Sequence, residues 1–235
     1  MYEPRPIEMD RMRAVLFDLD GTLIESDDRW VEKIAARIGF LRRLHHAIDP
    51  EVIARWLVMR VETPSNYALS AIEHLGLKTS FFGLSDRLRR ARGLATQDNS
   101  RTVAGSEQLL RALEHRYRLA VVTTRARPEA LAFLERSGLR SFFEIVITRQ
   151  DVLRMKPHPE PVRTAARKLG VLANQCLMIG DTVNDVLAAR RAGAFAIGVL
   201  SGFGERPELE RSGADLILPC AADLLAEPIW PTPLQ

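Results

Sequence analysis

Ten residues near the amino terminus, Ala14-Val15-Leu16-Phe17-Asp18-Leu19-Asp20-Gly21-Thr22-Leu23, constrain the rest of the chain. They open as a short apolar run of the sort that fills a buried strand. The run then breaks into two carboxylates one residue apart, a glycine and a threonine. Successive strand side chains point to opposite faces, so Asp18 and Asp20 share a face only while the strand continues, and Gly21 marks a turn just there. Asp is also an ordinary turn residue, so a bare pair at this spacing says little. Two acids at the carboxyl end of a buried strand are nevertheless costly unless a metal, hydrogen bonds or a reaction compensates them. In open parallel sheets that end is where ligands bind.

After Ser26 the pattern changes to helical spacing, with Trp30, Ile34 and Ile38, then Val52, Trp56 and Met59, then Ala68, Ala71, Ile72 and Leu75. Asp49-Pro50-Glu51 reads as a helix start, and Thr63-Pro64-Ser65 separates two helices. No strand-like alternation interrupts this stretch. The spacing predicts an all-helical domain over 24–98, inserted into an α/β core formed by 1–23 and 99–235. Its arginines, from Arg29 to Arg92, include possible receivers for an anionic substrate, although such side chains usually face solvent. His45-His46 has no partner at metal-ligand spacing.

From Thr102 onward helices and strands alternate. Helices are expected over 107–116, 128–137, 160–169 and 182–191, the last three each followed closely by a glycine. Strands are expected over 119–122, 143–147, 176–179 and 195–199, with a last short one at Leu216-Ile217-Leu218. Repeated βα units imply a Rossmann-like parallel sheet with helices on both faces and right-handed crossovers. Pro228, Pro231 and Pro233 predict an irregular carboxyl-terminal tail.

Four segments that carry chemistry follow strands of this sheet. Asp18 and Asp20 follow the first, and Thr123-Thr124-Arg125 follows Leu119-Ala120-Val121-Val122. Lys156-Pro157-His158-Pro159 lies in the loop after Ile147, and Gly180-Asp181-Thr182-Val183-Asn184-Asp185 follows Cys176-Leu177-Met178-Ile179. Each has an ordinary explanation alone: a strand-end turn, a solvent lysine, or acids that cap a helix and complement its dipole. Together, on the single edge of a parallel sheet where all carboxyl ends lie, they describe a site for a divalent metal and a phosphoryl group.

The order D-x-D-G-T, hydroxyl, Lys-Pro and G-D-x-x-x-D resembles the four motifs of the haloacid dehalogenase-like hydrolase superfamily. The helical insert directly after the first motif is similar in position to the cap of the branch containing phosphoglycolate phosphatases. In the core, Met178 to Asp185, Ala188 to Gly193, and Val199-Leu200-Ser201-Gly202-Phe203-Gly204 are similar to the same branch. The resemblance implies a phosphatase acting on a small phosphomonoester through an aspartyl-phosphate. It implies Asp18 as nucleophile and Asp20 as the acid for the leaving alcohol, then the base for water. It also implies that Gly21, Thr123, Thr124 and Lys156 receive the phosphate and that Asp18, Asp181 and the Asp20 carbonyl hold Mg²⁺. Asp185 has a supporting part, orienting Lys156 or a metal-bound water. Oxygen-only ligation suits Mg²⁺ better than zinc. The same superfamily holds β-phosphoglucomutase-like phosphomutases and phosphonatases, and a non-catalytic phosphate-binding regulator is a further alternative.

Composition narrows the partners. Thirty-three basic and 30 acidic residues leave a net charge of +3, too slight for nucleic acid and compatible with a small anionic substrate. No apolar run approaches the roughly 20 residues of a membrane span, and Met1 to Arg13 lacks the apolar core of a signal peptide. Two cysteines, Cys176 and Cys220, offer neither a disulfide framework nor a zinc site. A cytoplasmic protein is expected, as a monomer or homodimer.

Overall fold

In the computed structural model, which describes residues 4–25 and 101–230, the apolar run forms strand β1 (Ala14–Phe17) with all four side chains buried. Parallel partners flank it on both edges, β2 (Arg118–Val122) on one and β4 (Cys176–Gly180) on the other. A strand covered on both faces has no solvent side, which is why its sequence is continuously apolar rather than alternating. With β3 (Ile145–Ile147), β5 (Phe195–Val199) and β6 (Leu216–Leu218), the strands form one sheet in the order β3-β2-β1-β4-β5-β6. Every strand pair is parallel. The chain winds outward from β1 to β3, then returns to the other side of β1 and winds outward again. The order reverses between β1 and β4, and a crevice at such a reversal is a natural binding site.

Two apolar clusters sit on opposite faces of the sheet. Val15, Phe17, Leu119, Val121, Leu177 and Ile179 point to one face, which α1 (Ser106–Glu114) covers with Leu109, Leu110 and Leu113 and α2 (Arg127–Arg136) with Phe133 and Leu134. Ala14, Leu16, Ala120, Val122 and Met178 point to the other. There α3 (Glu160–Lys168) brings Val162 and Ala165, and α4 (Val183–Ala192) brings Val186, Ala188 and Ala189. This is the α/β, Rossmann-like parallel sheet with helices on both faces that the repeated βα units implied.

Three local differences have physical causes. Strand β3 starts at Ile145 rather than Phe143, because a 3₁₀ turn at Arg140–Phe142 precedes it. Phe143 instead meets Phe17 edge-on, with ring centroids 6.0 Å apart. A helix that the sequence pattern does not reveal, α5 (Arg206–Ser212), buries a single side chain, Leu209, which is too little to make a period. The tail is also less irregular than its prolines suggest. A 3₁₀ segment at Ala221–Ala226 buries Ala221 and Leu224, and Trp230 lies against Tyr117 while its Nε1–H donates to the Leu224 carbonyl at 2.9 Å.

The predicted helical domain falls, from residue 26 to residue 98, outside the described residues, together with its arginines and His45-His46. Its two flanks are described. Glu25 N–H donates to the Arg101 carbonyl at 2.9 Å, Val103 N–H donates to the Leu23 carbonyl at 3.0 Å, and Ile24 bridges Thr102 antiparallel. The chain therefore leaves and rejoins the core at one place.

Candidate active site

The backbone at the end of β1 explains the D-x-D-G-T string. Asp18 extends the ladder by one bond, its N–H donating to the Ile179 carbonyl at 2.9 Å. The chain then curls, so that the Leu19 carbonyl accepts from Leu23 at 2.9 Å and from Ile24 at 2.8 Å. Gly21 turns with a φ of 71°, in the left-handed region where glycine is favoured. Its N–H is committed to the Ile24 carbonyl at 2.8 Å, and a Cβ on it would lie 2.3 Å from Asp181 Oδ2. Gly21 thus contributes space for Asp181, with its N–H engaged inside the turn.

Lys156 stands where the four segments meet. Buried, it donates to the Val122 carbonyl at 3.0 Å, and its Nζ lies 2.9 Å from Asp18 Oδ1 and 2.5 Å from Asp185 Oδ1. Asp185 has a second task, because its Oδ2 accepts from the Thr182 N–H at 3.1 Å and from the Thr182 hydroxyl at 2.6 Å. That reciprocal cap starts α4. Asp185 thus caps α4 with one oxygen and holds Lys156 with the other.

Asp181 points the other way, into the loop after β5. Its Oδ2 accepts from the Phe203 N–H at 2.8 Å, and Gly202 lies so close that a Cβ there would fall 1.9 Å from the same oxygen. Ser201 ties this loop to the first, its hydroxyl donating to the Gly21 carbonyl at 2.6 Å. Asp181 Oδ1 is buried and has no protein partner among the described residues. Carboxylate oxygens of Asp18, Asp181 and Asp185 all lie within 4.8 Å of one another.

Three buried carboxylates thus cluster around one buried ammonium, which pairs with Asp18 and Asp185. Burial is the main influence lifting the Asp18 carboxyl to about 7; the Lys156 charge opposes it, and Asp185 and Asp20 add to it. Asp181 is raised well above the ordinary carboxylate range, first by burial and then by Asp185 and Asp18. Burial works against the charge on Lys156, but Asp18 and Asp185 outweigh it and raise its pKa, so it stays an ammonium. The arrangement lacks positive charge, and a divalent cation with oxygen ligands would correct that. The partnerless Asp181 Oδ1 is the observation that makes the residues fit such an ion.

Thr123 and Thr124 follow β2 as expected. Thr123 is buried, and its Oγ1 accepts from the Arg125 N–H at 3.2 Å, which leaves the hydroxyl proton for another acceptor. Asp20 does not join the carboxylate group. Its side chain turns to Arg125, whose Nε donates to Oδ2 at 2.7 Å and whose NH2 donates to Oδ1 at 2.5 Å. The sequence pattern assigns no part to Arg125 or to the Phe203 N–H. The signal for Arg125 was its place directly after the two threonines of a strand end; for Phe203 it was a glycine-flanked loop after β5.

A family model described as haloacid dehalogenase-like hydrolase matches residues 15–199. The chain is 32% identical over 219 residues to pyrophosphatase PpaX of Bacillus pumilus, covering 92% of this chain and 95% of that one. It is 29% identical over 224 residues to phosphoglycolate phosphatase of Pectobacterium atrosepticum, covering 93% of each. Among solved structures, a hydrolase from Pseudomonas syringae is similar with a TM-score of 0.65 at 27% identity, over 92% of this chain and 97% of that one. A hydrolase from Deinococcus radiodurans, crystallised with bound phosphate and sodium, gives 0.62 at 25% identity, over 92% and 94%.

Proposed function

This chain belongs to the haloacid dehalogenase-like hydrolase family, and on that premise we propose that it is a Mg²⁺-dependent phosphatase of a small phosphate ester. The observation that carries the reading is the Lys156 ammonium, set between Asp18 and Asp185 beside an Asp181 oxygen that no protein group satisfies. Homologues named phosphatase and pyrophosphatase support it.

Asp18, Asp181 and the carbonyl of Asp20 would hold the cation, with Asp185 steadying Lys156. When bound, Mg²⁺ supplies charge neutralisation for the phosphoryl oxygens. Asp18 acts as nucleophile: one of its carboxylate oxygens forms a bond to phosphorus as the bond to the leaving oxygen breaks. Lys156 holds Asp18 in line and offsets the negative charge that Asp18 and the phosphate bring together. The Thr123 hydroxyl, oriented by the Arg125 N–H, donates to a phosphoryl oxygen, and the Thr124 N–H adds a second donor.

Asp20 gives its proton to the leaving oxygen. Its carboxylate then takes a proton from the water that attacks the aspartyl-phosphate, which releases phosphate and restores Asp18. Asp20 is paired with Arg125 and Asp18 with Lys156, so the two acids sit in different surroundings, as acids with different tasks do.

The test is phosphate release with Mg²⁺ from a panel headed by phosphoglycolate and pyrophosphate, beside Asp18→Asn. Release that needs both Mg²⁺ and Asp18 is expected. Turnover that survives in Asp18→Asn overturns the assignment of the nucleophile, and transfer between positions of a sugar without release identifies a mutase instead.

A further inference from the structure

Resting on that reading, we propose that Arg125 reads a second anionic group on the substrate, and that this group displaces Asp20 from the guanidinium. The favoured substrates are then phosphate esters or anhydrides whose leaving part carries a carboxylate or phosphate near the bridging oxygen.

The geometry contains a conflict that such a group resolves. Both oxygens of Asp20 are engaged by one guanidinium, through Nε at 2.7 Å and NH2 at 2.5 Å. A paired fork of this kind is among the stronger side-chain contacts, and it fixes the carboxylate in its plane. An acid held by both oxygens is not available to a leaving group. Something must take its place on Arg125 when substrate arrives, and a neutral alcohol cannot.

Two further observations point the same way. The third nitrogen of the guanidinium, NH1, is buried and has no partner among the described residues, so the fork has more donors than Asp20 uses. Its backbone is anchored, with the N–H given to Thr123 Oγ1 at 3.2 Å and the carbonyl accepting from Arg149 at 3.4 Å. The same short turn therefore presents the phosphate-facing hydroxyl and the guanidinium at a set spacing. A ligand with two anions can satisfy both, whereas one with a single anion leaves Arg125 on Asp20 and its buried NH1 without a partner.

The experiment uses the full chain with Mg²⁺. Wild type, Arg125→Gln and Arg125→Lys are compared on phosphoglycolate, pyrophosphate and the neutral analogue ethyl phosphate, with p-nitrophenyl phosphate as a substrate whose leaving group needs little acid. Circular dichroism confirms that each variant is folded. The expected kcat/KM preference of wild type for an anionic substrate over ethyl phosphate is about 100-fold, the order expected when one buried donor goes unpaired. In Arg125→Gln that ratio falls by about 10-fold or more, mainly through KM. Arg125→Lys keeps the charge but not the fork, and its ratio lies between the two. The arm that keeps its preference, carboxylate or phosphate, identifies the second anion.

Binding of the same ligands to Asp18→Asn, alone and combined with Arg125→Gln, reads the preference without turnover. A binding gap that closes in the double variant supports Arg125 even where no substrate is hydrolysed, and that outcome would overturn the phosphatase reading alone. Equal loss of kcat on neutral and anionic substrates in Arg125→Gln, with KM constant and no binding gap, makes Arg125 a positioning residue for Asp20 and overturns the proposal.

Discussion

Lys156 and Asp185 meet at 2.5 Å with neither side chain exposed, and the same Asp185 caps the helix that follows Asp181. One side chain therefore fixes the lysine and starts α4. Replacing it by alanine leaves a buried ammonium with one carboxylate fewer and a helix without its reciprocal cap. Asp185→Ala is expected to lose about 3–5 kcal/mol of stability, the range for breaking a buried ion pair. Urea unfolding monitored by circular dichroism measures it, and a loss below about 1 kcal/mol would show that the pair is not structural.

Cation binding should be visible without any substrate. An ion that binds the folded chain at 100 times its Kd adds about 2.7 kcal/mol. In a chain of this size that raises Tm by about 5–10 °C. The rise in a thermal scan with Mg²⁺ against EDTA should disappear in Asp181→Asn. A rise that persists there would place the ion elsewhere.

Gly202→Ala tests the loop after β5. The added Cβ would sit 1.9 Å from Asp181 Oδ2, and the Phe203 N–H that holds that oxygen would move with it. Groups that orient a ligand typically contribute 10–100-fold to metal affinity, so the Mg²⁺ concentration for half-maximal activity should rise by about that factor. Titration of activity with Mg²⁺ reads it, and an unaltered midpoint would mean that the loop yields freely.

Away from the site, Asp215 contributes to the pH dependence of stability. Burial pushes its carboxyl up, but the Arg5 side chain, the Ala196 N–H and the charges of Arg5 and Arg190 overcome this and hold it below the ordinary value. A carboxylate depressed in the folded state stabilises above its unfolded pKa of about 4, and the contribution is lost as pH falls through the folded value. Asp215→Asn should therefore be less stable than wild type at pH 7, with the two converging below about pH 4. A gap that stays constant with pH would remove charge from the explanation.

What could be read from the sequence depended on how local the cause was. Leu16 and Phe17 lie in a continuous apolar run because β1 is covered on both faces, and such runs are visible without a partner. Asp18, Thr123, Lys156 and Asp181 were traceable because a parallel sheet brings all its carboxyl ends to one edge. The Asp20–Arg125 fork was not, since it joins two loops whose residues carry no shared pattern, and only the paired strands beneath them bring those loops together. The Phe203 N–H on Asp181 was hidden likewise, because a backbone donor leaves no mark on residue type. Leu209 alone could not announce α5, nor could Tyr117 announce Trp230.

The central position of β1 also sets a timetable for biosynthesis. Ala14 pairs with Arg118 on one side and Cys176 on the other, so the first strand made is completed by strands made much later. At about 5–20 residues per second, a ribosome takes roughly 10–30 s to travel from Ala14 to Cys176. Both edges of this apolar strand are bare until β2 has been made, and one stays bare until β4 follows; a strand with a bare edge is prone to pair with the wrong neighbour. Yield from the cell should therefore respond to chaperone supply and growth temperature more than the stability of the finished fold would suggest.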